Sequence, residues 1–256
     1  MGRLLQVTAA LIGLMAAATA LLAQNPADKP RVPPGVDPGG VAIAIIGSGI
    51  DYTRPEIAAH LARDGEGEII GWDFVDNDRR PYASCRTIRP EALCLPYPLE
   101  NYAAAKPSHR IVVFRASTTV PQSLVQAAQA AGQTRARIVV LALSEPLPIQ
   151  FLRDAAQRYP ANYFVAVVDL ATAEMPGTVL SDNTVAIPAG PGSIRLGGAL
   201  AWLIAREAEG LVTKNPRIDN DAIRCRLAEA PGSLRLPGSD QHTPMVTGCP
   251  PPRSEP

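Results

Sequence analysis

A short apolar run that stops at two glycines constrains this chain more than any other feature. It reads Val41-Ala-Ile-Ala-Ile-Ile46, followed by Gly47-Ser48-Gly49. Apolar, β-branched residues in unbroken succession specify a strand buried on both faces, which is the environment of a parallel sheet. Glycine accepts backbone conformations that a side chain forbids, so the turn lets main chain approach another group closely. In open parallel sheets the chemistry lies beyond the carboxyl ends of the strands. The expectation is that Gly47-Ser48-Gly49 sits on such a rim.

The pattern recurs along the chain. Residues 110–115, 137–143, 163–168 and 184–187 read as strands, and residues 68–75 as another that ends in the acidic turn Asp76-Asn77-Asp78. Helical spacing of Ile57, Ala58 and Leu61 predicts a short helix over 55–63. A second helix spans 120–132, with Leu124, Ala127, Ala128 and Ala131 on one face and Gly132 as its C-cap. A third spans 148–158, with Phe151, Leu152 and Ala155 inward. Residues 193–209 and 219–228 read as the last two, and 100–106 alone has helical character within 79–108. Apolar strands alternating with helices predict an α/β protein, a parallel sheet with helices on both faces.

The chain has 256 residues, of which 46% are hydrophobic, enough for one packed domain, here 41–230. Its 24 basic and 24 acidic residues balance, and aromatics make up 5%. Neither nucleic acid nor an anionic membrane surface is expected as a partner. Arg3, the apolar residues 7–23 and the polar Gln24-Asn25 after Ala23 read as a secretory signal cleaved after Ala23, with an uncleaved anchor as the alternative. The expected location is secreted or periplasmic, with no membrane span after cleavage. Residues 24–40, rich in Pro, Gly and Asp, form a linker or an extended arm on the domain, and 231–256 a Pro/Gly-rich tail. Four cysteines in an exported chain suggest two disulfides, which allow three pairings. The local choice is Cys85–Cys94 with Cys225–Cys249. A metal site is the weaker reading, since the chain has no C-x-x-C and His60, His109 and His242 have no ligand-like spacing.

The segment Val41-Ala-Ile-Ala-Ile-Ile-Gly-Ser-Gly-Ile-Asp-Tyr-Thr-Arg-Pro-Glu-Ile57 resembles the opening of the subtilisin-like serine proteases, the subtilases. That family reads apolar strand, Asp-Ser/Thr-Gly-Ile/Val-Asp, two residues, then His-Pro-Asp/Glu-Leu/Ile. Ile69-Ile-Gly-Trp-Asp-Phe-Val-Asp-Asn-Asp78, with Pro81-Tyr82, is similar to its next strand and loop. Residues 110–115 and 138–144 resemble the two following strands, Gly192-Ser193 the nucleophile turn, and Lys214-Asn-Pro-Arg-Ile-Asp219 the closing segment. The resemblance implies a subtilisin-like three-layer α/β/α fold over residues 41–230.

The departures fall on the positions that carry catalysis in that family. Its mechanism needs an Asp to orient a His, and a His to take the Ser proton. Gly47 stands at the Asp position, Asn101 is nearest the His position, and Asp169 replaces the oxyanion-binding Asn. Only Ser193 matches a triad member, and the head of its helix is also a preferred place for a capping Ser. Removing triad residues costs such an enzyme roughly 10⁶-fold in rate. The expectation is an exported pseudoprotease that binds a peptide or protein. The alternative is a serine peptidase or hydrolase of the subtilase family with a non-standard catalytic set using Ser193. No cofactor is expected. Asp76 and Asp78 are weak candidates for structural calcium, and Gly47-Ser48-Gly49 lacks the third glycine of a dinucleotide fingerprint.

Overall fold

The structure, a computed structural model, describes residues 29–84, 109–143, 147–169, 181 and 183–188. The chain divides into two units, Met1–Pro30 and Arg31–Pro256. In the second unit, the elements in order are β1 (Val41–Gly47), α1 (Pro55–Ala58), β2 (Gly71–Asp73), β3 (His109–Arg115), α2 (Pro121–Gln133), β4 (Ile138–Ala142), β5 (Leu147–Pro148), α3 (Ile149–Arg158), β6 (Tyr163–Asp169) and β7 (Thr184–Pro188).

Every pairing between these strands is parallel. β1 pairs with β3 on one edge, Val41 opposite His109 and Gly47 opposite Arg115. It pairs with β4 on the other, Ile43 opposite Ile138 and Gly47 opposite Ala142. β2 lies beyond β3, and β6 beyond β4. Val168 of β6 is partnered by both Leu147 and Pro188, so β5 continues along the β4 edge of β6 and β7 takes the other edge. The connection after β1 leads toward β3 and β2, and the one after β4 leads toward β6. The sheet therefore has its switch point where the tips of β1 and β4 adjoin.

Side chains alternate across a strand. Ala42, Ala44 and Ile46 of β1 join Val112, Phe114, Val139, Leu141, Phe164 and Ala166 in one layer. This layer packs on Leu124, Ala127, Ala128 and Ala131 of α2 and on Leu152, Ala155 and Ala156 of α3. Alanine against alanine brings helix and sheet close together. The alternate residues Ile43, Ile45, Ile111, Val113, Ile138 and Val140 are buried as well. The sheet is thus covered on both faces, as continuous apolar runs require, and each fully buried Ile or Leu contributes about 1.5–3 kcal/mol. The α/β architecture with a parallel sheet stands as expected.

Some elements differ in extent. α1 ends at Ala58 because the chain turns to bridge β3: the Ala62 N–H donates to Ile111 O at 2.8 Å, and the Ile111 N–H to His60 O at 2.7 Å. β2 has three residues, since a turn anchored on Asp73 ends it. β5 was not expected. Gly132 is not the C-cap of α2, which runs on to Gln133. Thr134 closes the helix, its N–H and hydroxyl both donating to Ala131 O at 3.1 and 2.8 Å. Gly132 answers to tertiary packing instead: a Cβ there would lie 2.5 Å from the Tyr159 ring. The expected helices over 100–106, 193–209 and 219–228 lie outside the described residues, as do the signal segment, the C-terminal tail and all four cysteines.

Alanine is the better helix former by about 1 kcal/mol. Gly132→Ala is expected to reverse that gain and lose about 1 kcal/mol through overpacking, whereas in a Tyr159→Ala background the same change should stabilise. Urea unfolding of the four proteins measures the sign.

Candidate functional site

The carboxyl ends of β1, β2, β3 and β4 form the rim on which the Gly47-Ser48-Gly49 turn lies. Gly47 is the last residue of β1, and its carbonyl accepts from the Ala116 N–H at 2.7 Å. Gly49 has a φ of +110°, and a Cβ there would lie 2.9 Å from that of Ala83. This turn therefore requires glycine, and its main chain packs against residues 82–83 rather than against an open site. Ile50 bridges to Tyr82, with the Ile50 N–H donating to Pro81 O at 3.0 Å.

The chemistry beside Gly47 is an ion-pair cluster. Arg115 ends β3 opposite both Gly47 and Asp73. Its Nε donates to Ser48 O at 3.1 Å, and its Nη1 to Asp73 Oδ2 at 2.8 Å and Asp76 Oδ2 at 2.5 Å. Asp73 is fully buried, and its Oδ1 accepts from the N–H groups of Val75 and Asp76, both at 2.9 Å. Asn77 completes the turn at a φ of +55°, a region in which Asn is favoured. Burial opposes the charged form of Arg115, but the two carboxylates outweigh it and raise its pKa. A guanidinium so held gives up no proton, and so offers no general acid or base. The cluster's work is to tie the tips of β1, β2 and β3 together.

Other candidates have structural roles. Asp51 Oδ1 accepts from the N–H and hydroxyl of Thr53. Asp78 Oδ1 accepts from the Arg80 N–H at 2.6 Å. Among the described residues no three His, Cys, Asp or Glu side chains gather where they would hold one metal ion, and the carboxylates of Asp73 and Asp76 turn to Arg115. Asp169 ends β6, opposite Pro148, on the same rim as Gly47. β4 stands between those two strands, so they are about 10 Å apart. Asn101, Ser193 and both proposed disulfides, Cys85–Cys94 and Cys225–Cys249, lie outside the described residues.

The described histidines sit at the other end of the sheet. His109 opens β3 opposite Val41, six residues from the Gly47 level, or about 20 Å along the strands. His60 stacks on it, ring centroids 5.0 Å apart and planes within 7°. Both are buried, and burial lowers both pKa values, that of His109 to about 4 with a further contribution from His60.

Arg115 was the site residue sequence reasoning passed over, and Asp73 was weighed there only with Asp51, Asp76 and Asp78 as a possible calcium ligand. The available signal for Arg115 was a charge closing an apolar strand.

No family model matches the chain, and no curated protein matches it in sequence. Among solved structures, it is similar to a cold-adapted subtilisin-like serine proteinase. The TM-score is 0.39 and the identity 11%, over 79% of this chain and 86% of that one. A likeness of that degree assigns no activity. Among the described residues, no helix is long and apolar enough to cross a membrane.

Two outcomes are expected. Arg115→Met strands a buried carboxylate and should cost about 3 kcal/mol. Combined with Asp73→Asn, the loss should be smaller than the sum of the single losses, which a double-mutant cycle in urea reads. Between about pH 6.5 and about pH 4, His109 is protonated in the unfolded chain and neutral in the folded one. The His109 contribution to stability should therefore fall as pH drops from about 6.5 toward 4, by about 3 kcal/mol, with His60 adding a loss of the same sign. His109→Leu should flatten that part of the pH profile, and an unchanged slope would remove His109 from the account.

Proposed function

We propose that this chain is an exported, subtilase-like domain that has no proteolytic competence and acts by binding a peptide or protein. The reading rests on the sequence resemblance through residues 41–57 and on one structural observation. The tip of β1, which in the subtilases presents the carboxylate that orients the catalytic His, here presents Gly47. The group beside it is a guanidinium held by two carboxylates. His60 and His109 stand about 20 Å away at the opposite end of the strands, so neither could take a proton from a nucleophile on this rim. A carboxylate at Asp169, where the family carries its oxyanion donor, would repel a developing negative charge.

Without a carboxylate at Gly47 or a described histidine on this rim, such a fold retains what holds an extended segment. A sheet edge offers unpaired N–H and C=O groups, and an added strand takes its affinity from them and its specificity from neighbouring side-chain pockets. The apolar segment at residues 7–23 and its polar boundary support the export part of the reading.

The deciding experiment treats the purified protein with a fluorescent peptide library and a serine-directed phosphonate. Expected are no cleavage, no labelling and saturable binding of a subset of peptides. Phosphonate labelling that Ser193→Ala abolishes would replace this reading with the hydrolase. Absence of both labelling and peptide binding would end the peptide-binding part of it.

A further inference from the structure

Arg63 is a buried cation whose guanidinium meets no carboxylate among the described residues. Its residue is 5% exposed. The Nη1 donates to Gly67 O at 2.7 Å and the Nη2 to Pro33 O at 2.8 Å. The Nε is buried and has no acceptor. Arg54, Arg110 and Arg115, by contrast, each meet a carboxylate. The nearby Asp37 is engaged elsewhere: its oxygens accept from the main-chain N–H groups of Arg63 and Gly39 and from Arg110 Nη1. Carbonyl oxygens satisfy donors without cancelling charge, and a buried charge left unpaired is costly.

Arg63 lines an open cleft of about 470 Å³, between the arm at residues 31–35 and the segments on either side of β2. Arg31, Arg79 and Arg80 line it too, against Glu66 and Glu68. The lining is therefore cationic in a chain whose overall charge balances. Both glutamates are exposed.

We propose that this cleft binds a compact oxyanion, the group shared by phosphate, sulfate and carboxylate, with Arg63 supplying the countercharge at its wall. The guanidinium is oriented before any ligand arrives, because two carbonyls hold it from the protein side. Each of Nη1 and Nη2 keeps a second N–H, the pair of donors that matches two oxygens of one anion. Gly35 belongs to the arrangement. A Cβ there would lie 2.9 Å from both Nε and Nη2, so only glycine lets the arm pack flat on the guanidinium. The proposal is independent of peptide binding at a sheet edge and stands or falls separately.

The test is isothermal titration of the full chain with inorganic phosphate, sodium sulfate and a glutamate-rich peptide, at constant ionic strength. Saturable binding is expected, weakened at least tenfold by Arg79→Gln, an exposed change that spares the fold, and by Arg63→Lys, which keeps the charge and loses the fork. Gly35→Ala should weaken it as well. Binding of the inorganic anions in preference to the peptide points to a phosphate- or sulfate-bearing ligand, and the converse to an acidic protein segment. Either supports the site. No saturable binding of any probe up to about 10 mM, or binding that Arg79→Gln and Arg63→Lys leave unchanged, would overturn it.

Discussion

β1 is the member to which the rest of the sheet is referred. It is hydrogen-bonded along both edges and covered on both faces. No polar side chain within it has to be accommodated, so one-residue slips are disfavoured by size rather than polarity. Ala42 and Ala44 suit the helix-bearing layer, where Ala127, Ala128 and Ala131 approach closely, and Ile43 and Ile45 fill the other. Exchange of the two sets would put isoleucines into space shaped for alanines, and overpacking of that kind is destabilising.

The two ends of the sheet solve opposite electrostatic problems. At the carboxyl ends a cation meets two carboxylates, and the fully buried Asp73 is satisfied by main-chain N–H groups as well as by Arg115. At the amino ends two imidazoles stack where burial favours their neutral forms. Neither arrangement offers a proton donor and acceptor poised together near pH 7.

The sequence made β1, β3, β4, β6 and β7 legible because each is built on an apolar run, and a pattern of that kind is a local signal. What it left hidden was non-local. β2 stops early because the Asp73 side chain folds back onto its own following amides, a choice that depends on Arg115 arriving from β3 to take the other oxygen. Gly132 reads as a helix terminus until the Tyr159 ring is seen against it. Arg63, in a stretch that reads as the end of a helix, leaves that path to bridge Ile69 and grip the arm. The glycines at the tip of β1 were plain in the sequence. That a guanidinium held by two carboxylates flanks Gly47 needed the register of β1 against β3.

The arm before β1 has a consequence for where this domain starts. The sheet begins at Val41, but Asp37 already binds the Arg63 main chain and the Arg110 side chain, and Pro33 holds the Arg63 guanidinium. A version trimmed to the first strand would keep every sheet hydrogen bond and still lose a wall of its cleft, leaving two arginines without the groups that hold them. The smallest faithful excision of this unit starts at the prolines, not at the strand.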